Sequence, residues 1–159
     1  NVSGCDIEGE IGDSKKPSLL LIQNAVRGAL GIEQFFITCP TVDTKDGTPV
    51  RDYIDVLDLV DAHMLALKYL DEGGASTILN LGNGQGWSVK EIIEMVKNEL
   101  GKKFDVKVSS NNRQGEYKEV YANIKKAQNI LGWKPKRGMK EIIQSLGRWY
   151  EKNPQGYKK

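Results

Sequence analysis

Shortages are the first guide to this chain. Cysteine occurs only at Cys5 and Cys39, and histidine only at His63. Two thiols without C-x-x-C spacing and without a histidine neighbour make no zinc site, so no metal ligand is expected. They read as reduced thiols of a cytoplasmic protein, with a disulfide as the alternative. No apolar run approaches the ~18 residues of a membrane span, and no charged-then-apolar leader opens the chain. The net charge is only +2, with 23 basic and 21 acidic residues scattered along the chain. That balance offers neither a nucleic-acid nor a membrane surface. Aromatics are sparse at 8%, and Trp87, Trp133 and Trp149 read as hydrophobic anchors beside turns and helix faces.

What is present suits one compact domain. The 159 residues, 39% hydrophobic and 28% charged, are enough for a real core. The chain turns on Asp46-Gly-Thr-Pro-Val-Arg-Asp-Tyr-Ile-Asp-Val-Leu-Asp-Leu59. Asp46 to Pro49 is turn chemistry. Val50 to Val56 alternates and is β-branched, so a strand is expected there. Asp58 is expected to cap a buried helix carrying Leu59, Ala62, Leu65, Ala66, Tyr69 and Leu70, ended by Gly73 and Gly74.

Around it the spacing predicts a loop from Asn1 to Ser14 and a helix from Leu19 to Leu30 with Ser18 as N-cap and Gly31 as stop. Strands are expected at Phe35 to Thr38, Thr77 to Leu81 and Phe104 to Val108. Ser88-Val-Lys-Glu91 is a capping box whose helix ends at Gly101. Asn123 is expected to cap a short helix through Leu131, and Met139, Ile142, Ile143, Leu146, Trp149 and Tyr150 line one face of a last one. The fold class is therefore α/β, a small mixed domain of helices with a few short strands.

Two patterns mimic catalytic motifs. Gly82-Asn-Gly-Gln-Gly86 has G-x-G-x-G spacing, not the G-x-G-x-x-G of a dinucleotide fingerprint, and Ser88 starts the helix beyond all three glycines. It reads as a turn. Tyr121-Ala-Asn-Ile-Lys125 has the Tyr-x-x-x-Lys spacing of a proton-transfer pair, but Asn123 as cap leaves Tyr121 outside the helix. No catalytic residue is therefore assigned. His63, alone on its helix, reads as a structural or solvated histidine.

Arginine carries the remaining chemistry. Arg51, planar and fixed on a strand, suits a phosphate or carboxylate, or else an ion pair with Asp52 or Asp55. Arg113, in a polar loop beside Gly115, could clamp the same anion or be merely solvated. Glu116 could accept ribose hydroxyls.

The stretch Asp46-Gly-Thr-x-Val-Arg-Asp-Tyr-Ile-x-Val-x-Asp-Leu59 resembles the signature of UDP-glucose 4-epimerases, extended short-chain dehydrogenase/reductase enzymes. The resemblance runs from Asn1-Val-Ser-Gly4 to Asn153-Pro-Gln-Gly-Tyr157 and covers only the second half of such an enzyme. It implies that residues 1–159 are a C-terminal nucleotide-sugar-binding part, a fragment that begins at a Tyr-Phe-Asn-type strand end. NAD would be held by an N-terminal Rossmann half, absent here, and the complete enzyme would be a cytoplasmic homodimer. There NAD takes hydride from sugar C4, and the keto-sugar turns while anchored through its UDP.

By the same resemblance, substrate-binding positions are Asn1, Leu21, Phe36, Thr38, Arg51, Arg113, Glu116 and Val120. Phe36 and Thr38 match the strand lining the uracil pocket, Arg51 and Arg113 the pyrophosphate arginines, and Glu116 the acidic residue at the ribose. Val120 matches the position gating sugar size, where a small residue leaves room for N-acetyl groups. Two departures stand out: the family more often has an aromatic at Thr38, and a histidine at Asp55. The alternatives are another nucleotide-sugar epimerase or dehydratase, or a non-catalytic nucleotide-sugar-binding module.

Overall fold

The computed structural model describes residues 1–109 and 115–157. Helices and short strands alternate along it, as the fold class anticipates. The main core lies between three helices: α1 (Leu21–Ala29), α3 (Val89–Leu100) and α5 (Met139–Lys152). Ile22 and Val26 of α1, Ile92 and Val96 of α3, and Ile142, Leu146 and Trp149 of α5 are fully buried against one another. These are the residues at helical spacing, so periodicity alone chose the buried faces. Ser88 and Glu91 form the reciprocal capping box at the start of α3, and Gly101 closes it in the left-handed conformation at φ 61°.

Strands β2 (Phe35–Ile37) and β6 (Val106–Val108) pair in parallel beside this core. Phe104 precedes β6 and packs edge-on against Phe35, with ring centroids 5.8 Å apart. A second sheet has β3 (Val50–Asp52) at its centre, antiparallel to β5 (Gly86–Ser88) and parallel to β7 (Glu119–Val120). Val2–Ser3 forms a two-residue strand, β1, where a loop was expected; it pairs in parallel with β4 (Ile54–Asp55).

The organising stretch differs from its expectation in two ways. The strand breaks at Tyr53, and Val56 already belongs to α2 (Val56–Asp71). The cap is Asp55, whose Oδ1 accepts the Leu57 N–H at 2.8 Å. Asp58 instead lies in the first turn with no exposed surface, accepting the N–H groups of Lys136 and Arg137 at 2.9 Å each. Two carboxylates three residues apart both precede the apolar run, and tertiary partners decided which one caps. Asp55 in the family's histidine position thus has a structural role.

Helix α2 is buried on one side only. Ala62 and Leu59 pack with Leu79, Leu81, Trp133 and α4 (Lys125–Leu131), forming a second cluster. Val60, Met64 and Leu67 form a stripe on the other side, exposed by 50%, 62% and 54%. Thr77 to Leu81 is not a strand: Leu79 and Leu81 alternate inward onto that cluster without a backbone partner. The partner strands of β3 are β5 and β7, further along. Ser18 does not cap α1; Leu20 holds the N-cap position and the Ser18 hydroxyl has no hydrogen-bond partner. Asn123 lies one residue before the α4 cap, its Oδ1 accepting the Lys125 N–H at 3.1 Å.

Among the described residues no helix is long and apolar enough to cross a membrane. Cys5 and Cys39 form no disulfide.

Candidate functional site

Arg51 sits in the middle of the central strand, opposite Trp87 of β5 and Val120 of β7. Its strand neighbours are anchored by short local chemistry. Asp46 Oδ1 accepts both the N–H and the hydroxyl of Thr48, at 2.8 and 2.7 Å, closing the turn before β3. The Ser88 hydroxyl donates to the other Asp46 oxygen, tying that turn to the start of α3. Burial works against ionisation of Asp46, but the Ser88 and Thr48 hydrogen bonds prevail and hold its carboxyl below the usual value.

On the other side of Arg51, the Asp52 carboxylate accepts the N–H groups of Asn83, Gly84 and Ala122 at 2.8, 3.0 and 3.1 Å. Here lies the reason for the glycines at 82 and 84. A Cβ on Gly82 would stand 2.4 Å from Asp52 Oδ2, and Gly84 adopts φ 73°. The glycine-rich turn is a cradle for a carboxylate of this chain. Tyr121 precedes α4 and Lys125 is its first residue, so the two share no helix face.

The Arg51 guanidinium is held at three points. Nη1 donates to the Val50 carbonyl at 2.6 Å, Nη2 donates to the Tyr117 carbonyl at 2.9 Å, and Nη2 also pairs with the Glu116 carboxylate. The two side chains are 20% and 19% exposed. Neither carboxylate considered from the sequence, Asp52 or Asp55, is its partner; one caps a turn and the other a helix.

This pair stands at a cavity of about 570 Å³. The cavity brings together six of the eight substrate positions inferred from the sequence: Asn1, Leu21, Phe36, Thr38, Arg51 and Glu116. Phe36 and Thr38 come from β2 and its end and Leu21 from the start of α1, so a strand and a helix both line it. Asn1 spends its amide on the Asp52 carbonyl at 3.0 Å, fixing the β1–β3 junction. Val120 is half-exposed and lies beside Arg51 in register, but it is not part of the cavity wall. Arg113 lies outside the described residues.

Sequence reasoning missed other wall residues, among them Asn24, Gln34 and Tyr53. Tyr53 is buried, and burial pushes its phenol up to about 12, so it stays a neutral donor. Its signal was available: it lies two residues from Arg51, on the same side of an extended segment. Asn24 Oδ1 is buried without a partner while its Nδ2 donates to the Ser18 carbonyl at 3.1 Å. His63 is exposed, its Nδ1 2.8 Å from the Leu59 carbonyl. No cluster suited to a metal ion occurs among the described residues. The arrangement can hold an anion at Arg51 and a planar ring against Phe36.

Comparison with known proteins places this geometry. The family model described as GDP-mannose 4,6 dehydratase matches residues 38–146. A UDP-glucose 4-epimerase of Rhizobium meliloti (strain 1021) is 41% identical over 157 residues, 98% of this chain and 48% of the relative. A crystal structure of a UDP-glucose 4-epimerase superposes with a TM-score of 0.92 at 40% identity, covering 100% of this chain and 49% of that one. The UDP-glucose 4-epimerase of Bifidobacterium longum, solved in complex with NAD+ and UDP, gives 0.91 at 31% identity, covering 99% and 47%. The chain spans about half the length of the curated relatives it matches. It belongs to the GDP-mannose 4,6 dehydratase family, and within that family it corresponds to the C-terminal half of the UDP-glucose 4-epimerases.

Proposed function

We propose that the cavity holds the uridine and pyrophosphate of a UDP-sugar, and that the chain is the substrate-anchoring half of a UDP-glucose 4-epimerase. The observation that carries this reading is the largely buried Arg51 guanidinium at a cavity walled by Phe36, Thr38 and Leu21. A planar donor fork suits a diphosphate, and an aromatic wall suits a base.

NAD would supply the hydride acceptor and donor at sugar C4. The residues described here do not fit it: the Asn83 and Gly84 N–H groups that would face a pyrophosphate are spent on Asp52. Its binding belongs to an N-terminal Rossmann half. What this chain contributes is anchorage, strong contacts to the nucleotide that leave the sugar free to present either face. The exposed Val60, Met64 and Leu67 stripe and the two-stranded parallel sheet of β1 and β4 support docking of such a half, since parallel strands are stable when covered on both faces. By the family resemblance, the complete enzyme would be a cytoplasmic homodimer.

Val120, small and half-exposed beside Arg51, leaves room for N-acetyl groups, so UDP-N-acetylhexosamines are substrates alongside UDP-glucose and UDP-galactose. Undiminished turnover of UDP-N-acetylglucosamine by a Val120→Tyr variant of the complete enzyme would refute this.

Calorimetric titration of UDP into the chain tests the anchor. Binding is expected, and Arg51→Ala should weaken it by at least about tenfold. UDP affinity indifferent to Arg51 would overturn the assignment.

A further inference from the structure

Arg51 and Glu116 are each other's ion-pair partner, both about four-fifths buried at the cavity. Three of the five guanidinium donors are already committed, two to carbonyls and one to this carboxylate. A phosphate approaching Arg51 therefore meets a resident anion. To take the guanidinium fork it must displace Glu116, and the displaced carboxylate is left half-buried next to a second negative charge. That state is unfavourable unless new donors reach the carboxylate.

We propose that Glu116 is a selectivity gate: it occupies Arg51 in the empty site and yields only to a diphosphate that carries its own vicinal hydroxyls. This rests on the nucleotide reading of the cavity. A nucleoside diphosphate offers both halves of the exchange in one molecule. Its phosphate oxygens replace the carboxylate on Arg51, and its ribose cis-diol donates two hydrogen bonds to the carboxylate so released. Inorganic pyrophosphate has the first half alone, and a 2′-deoxynucleotide has only part of the second. The ion pair thus weakens binding of every phosphate and returns that loss only to ribonucleotides, so specificity arises from a repulsive element as well as an attractive one.

Titrations of inorganic pyrophosphate, UDP and 2′-deoxy-UDP into the full chain, Glu116→Gln and Arg51→Gln/Glu116→Gln test the gate. Glu116→Gln should bind pyrophosphate about fivefold more tightly than the wild type and lose the preference for UDP over 2′-deoxy-UDP. The pyrophosphate gain should vanish in the double variant. Glu116→Asp, which withdraws the charge without removing it, should move pyrophosphate affinity in the same direction by less, and it serves if the amide variant does not fold. Pyrophosphate affinity unchanged or weakened on neutralising Glu116 overturns the gate; if UDP still binds, the nucleotide reading survives. A pyrophosphate gain with no UDP binding by any variant overturns the nucleotide reading and the ribose-dependent gate with it, and leaves only a competition between Glu116 and phosphate for Arg51. No binding of either ligand to any variant overturns both.

Discussion

Arg137 reaches from the segment before α5 to Asp58 in the first turn of α2, its Nη1 2.7 Å from Asp58 Oδ1. The other Asp58 oxygen accepts the N–H groups of Lys136 and Arg137, and the Asp58 carbonyl accepts the Trp133 indole N–H at 3.0 Å. One residue thereby fastens the second cluster to the main core. Removing its carboxylate strands two backbone donors and leaves the Arg137 guanidinium only the more distant carboxylates of Asp61 and Asp55, at 3.9 and 4.0 Å. Asp58→Ala should destabilise the chain by about 3 kcal/mol, read as a lower urea midpoint at unchanged slope. A shift no larger than that of an exposed substitution would show the network to be dispensable.

Asp52 links stability to the site. Its carboxylate satisfies three N–H groups and holds the glycine cradle against β3. Asp52→Ala should lower stability by about 2 kcal/mol and weaken UDP binding, because the strand presenting Arg51 loses its anchor. Full UDP affinity in a destabilised variant would separate the two roles.

Asp55 gives the stability a pH dependence. Burial pushes its carboxyl up, against the opposing pull of the Leu57 N–H and Arg137. The folded state then holds this proton more tightly than the unfolded chain does. Stability contributed by the neutral form is present at low pH and lost as pH rises through the raised folded-state value. Asp55→Asn keeps the helix cap and removes the titration. Its stability relative to wild type should therefore improve as pH rises from the ordinary aspartate value of about 4 through the raised folded-state value. Urea midpoints measured across that range check this, and a difference that stays flat would mean that Asp55 ionises without penalty.

Thr38 leaves one side of the cavity without a ring. Thr38→Phe adds a second aromatic surface beside Phe36, two residues along the same segment, and should tighten UDP binding by about fivefold through base stacking. Controls with inorganic pyrophosphate, which has no base, should show no gain. Equal gains for both ligands would point to a general change in the site, and no gain to a base that lies elsewhere.

The sequence alone determined the features that close within a turn or two of chain. The Ser88–Glu91 capping box, the Gly101 stop, the Asp46–Thr48 turn and the apolar face of α5 each depend on residues a few positions apart. The family signature around Arg51 was legible for the same reason, being one contiguous stretch. Tertiary structure decided what depends on distant partners. Thr77 to Leu81 has strand-like alternation but no strand beside it, and α2 has a helical pattern with one apolar stripe left uncovered. Asp58 was expected to cap α2, yet Asp55 does so, because Asp58 is taken up by Arg137 and the backbone N–H groups of Lys136 and Arg137, about eighty positions along. For Arg51 the sequence offers an anionic ligand or an ion pair with Asp52 or Asp55, yet its partner within the chain is Glu116, brought beside it by the pairing of β3 with β7. Local geometry is set by φ, ψ and spacing, whereas the partner of a buried charge is set by which segments the core brings together.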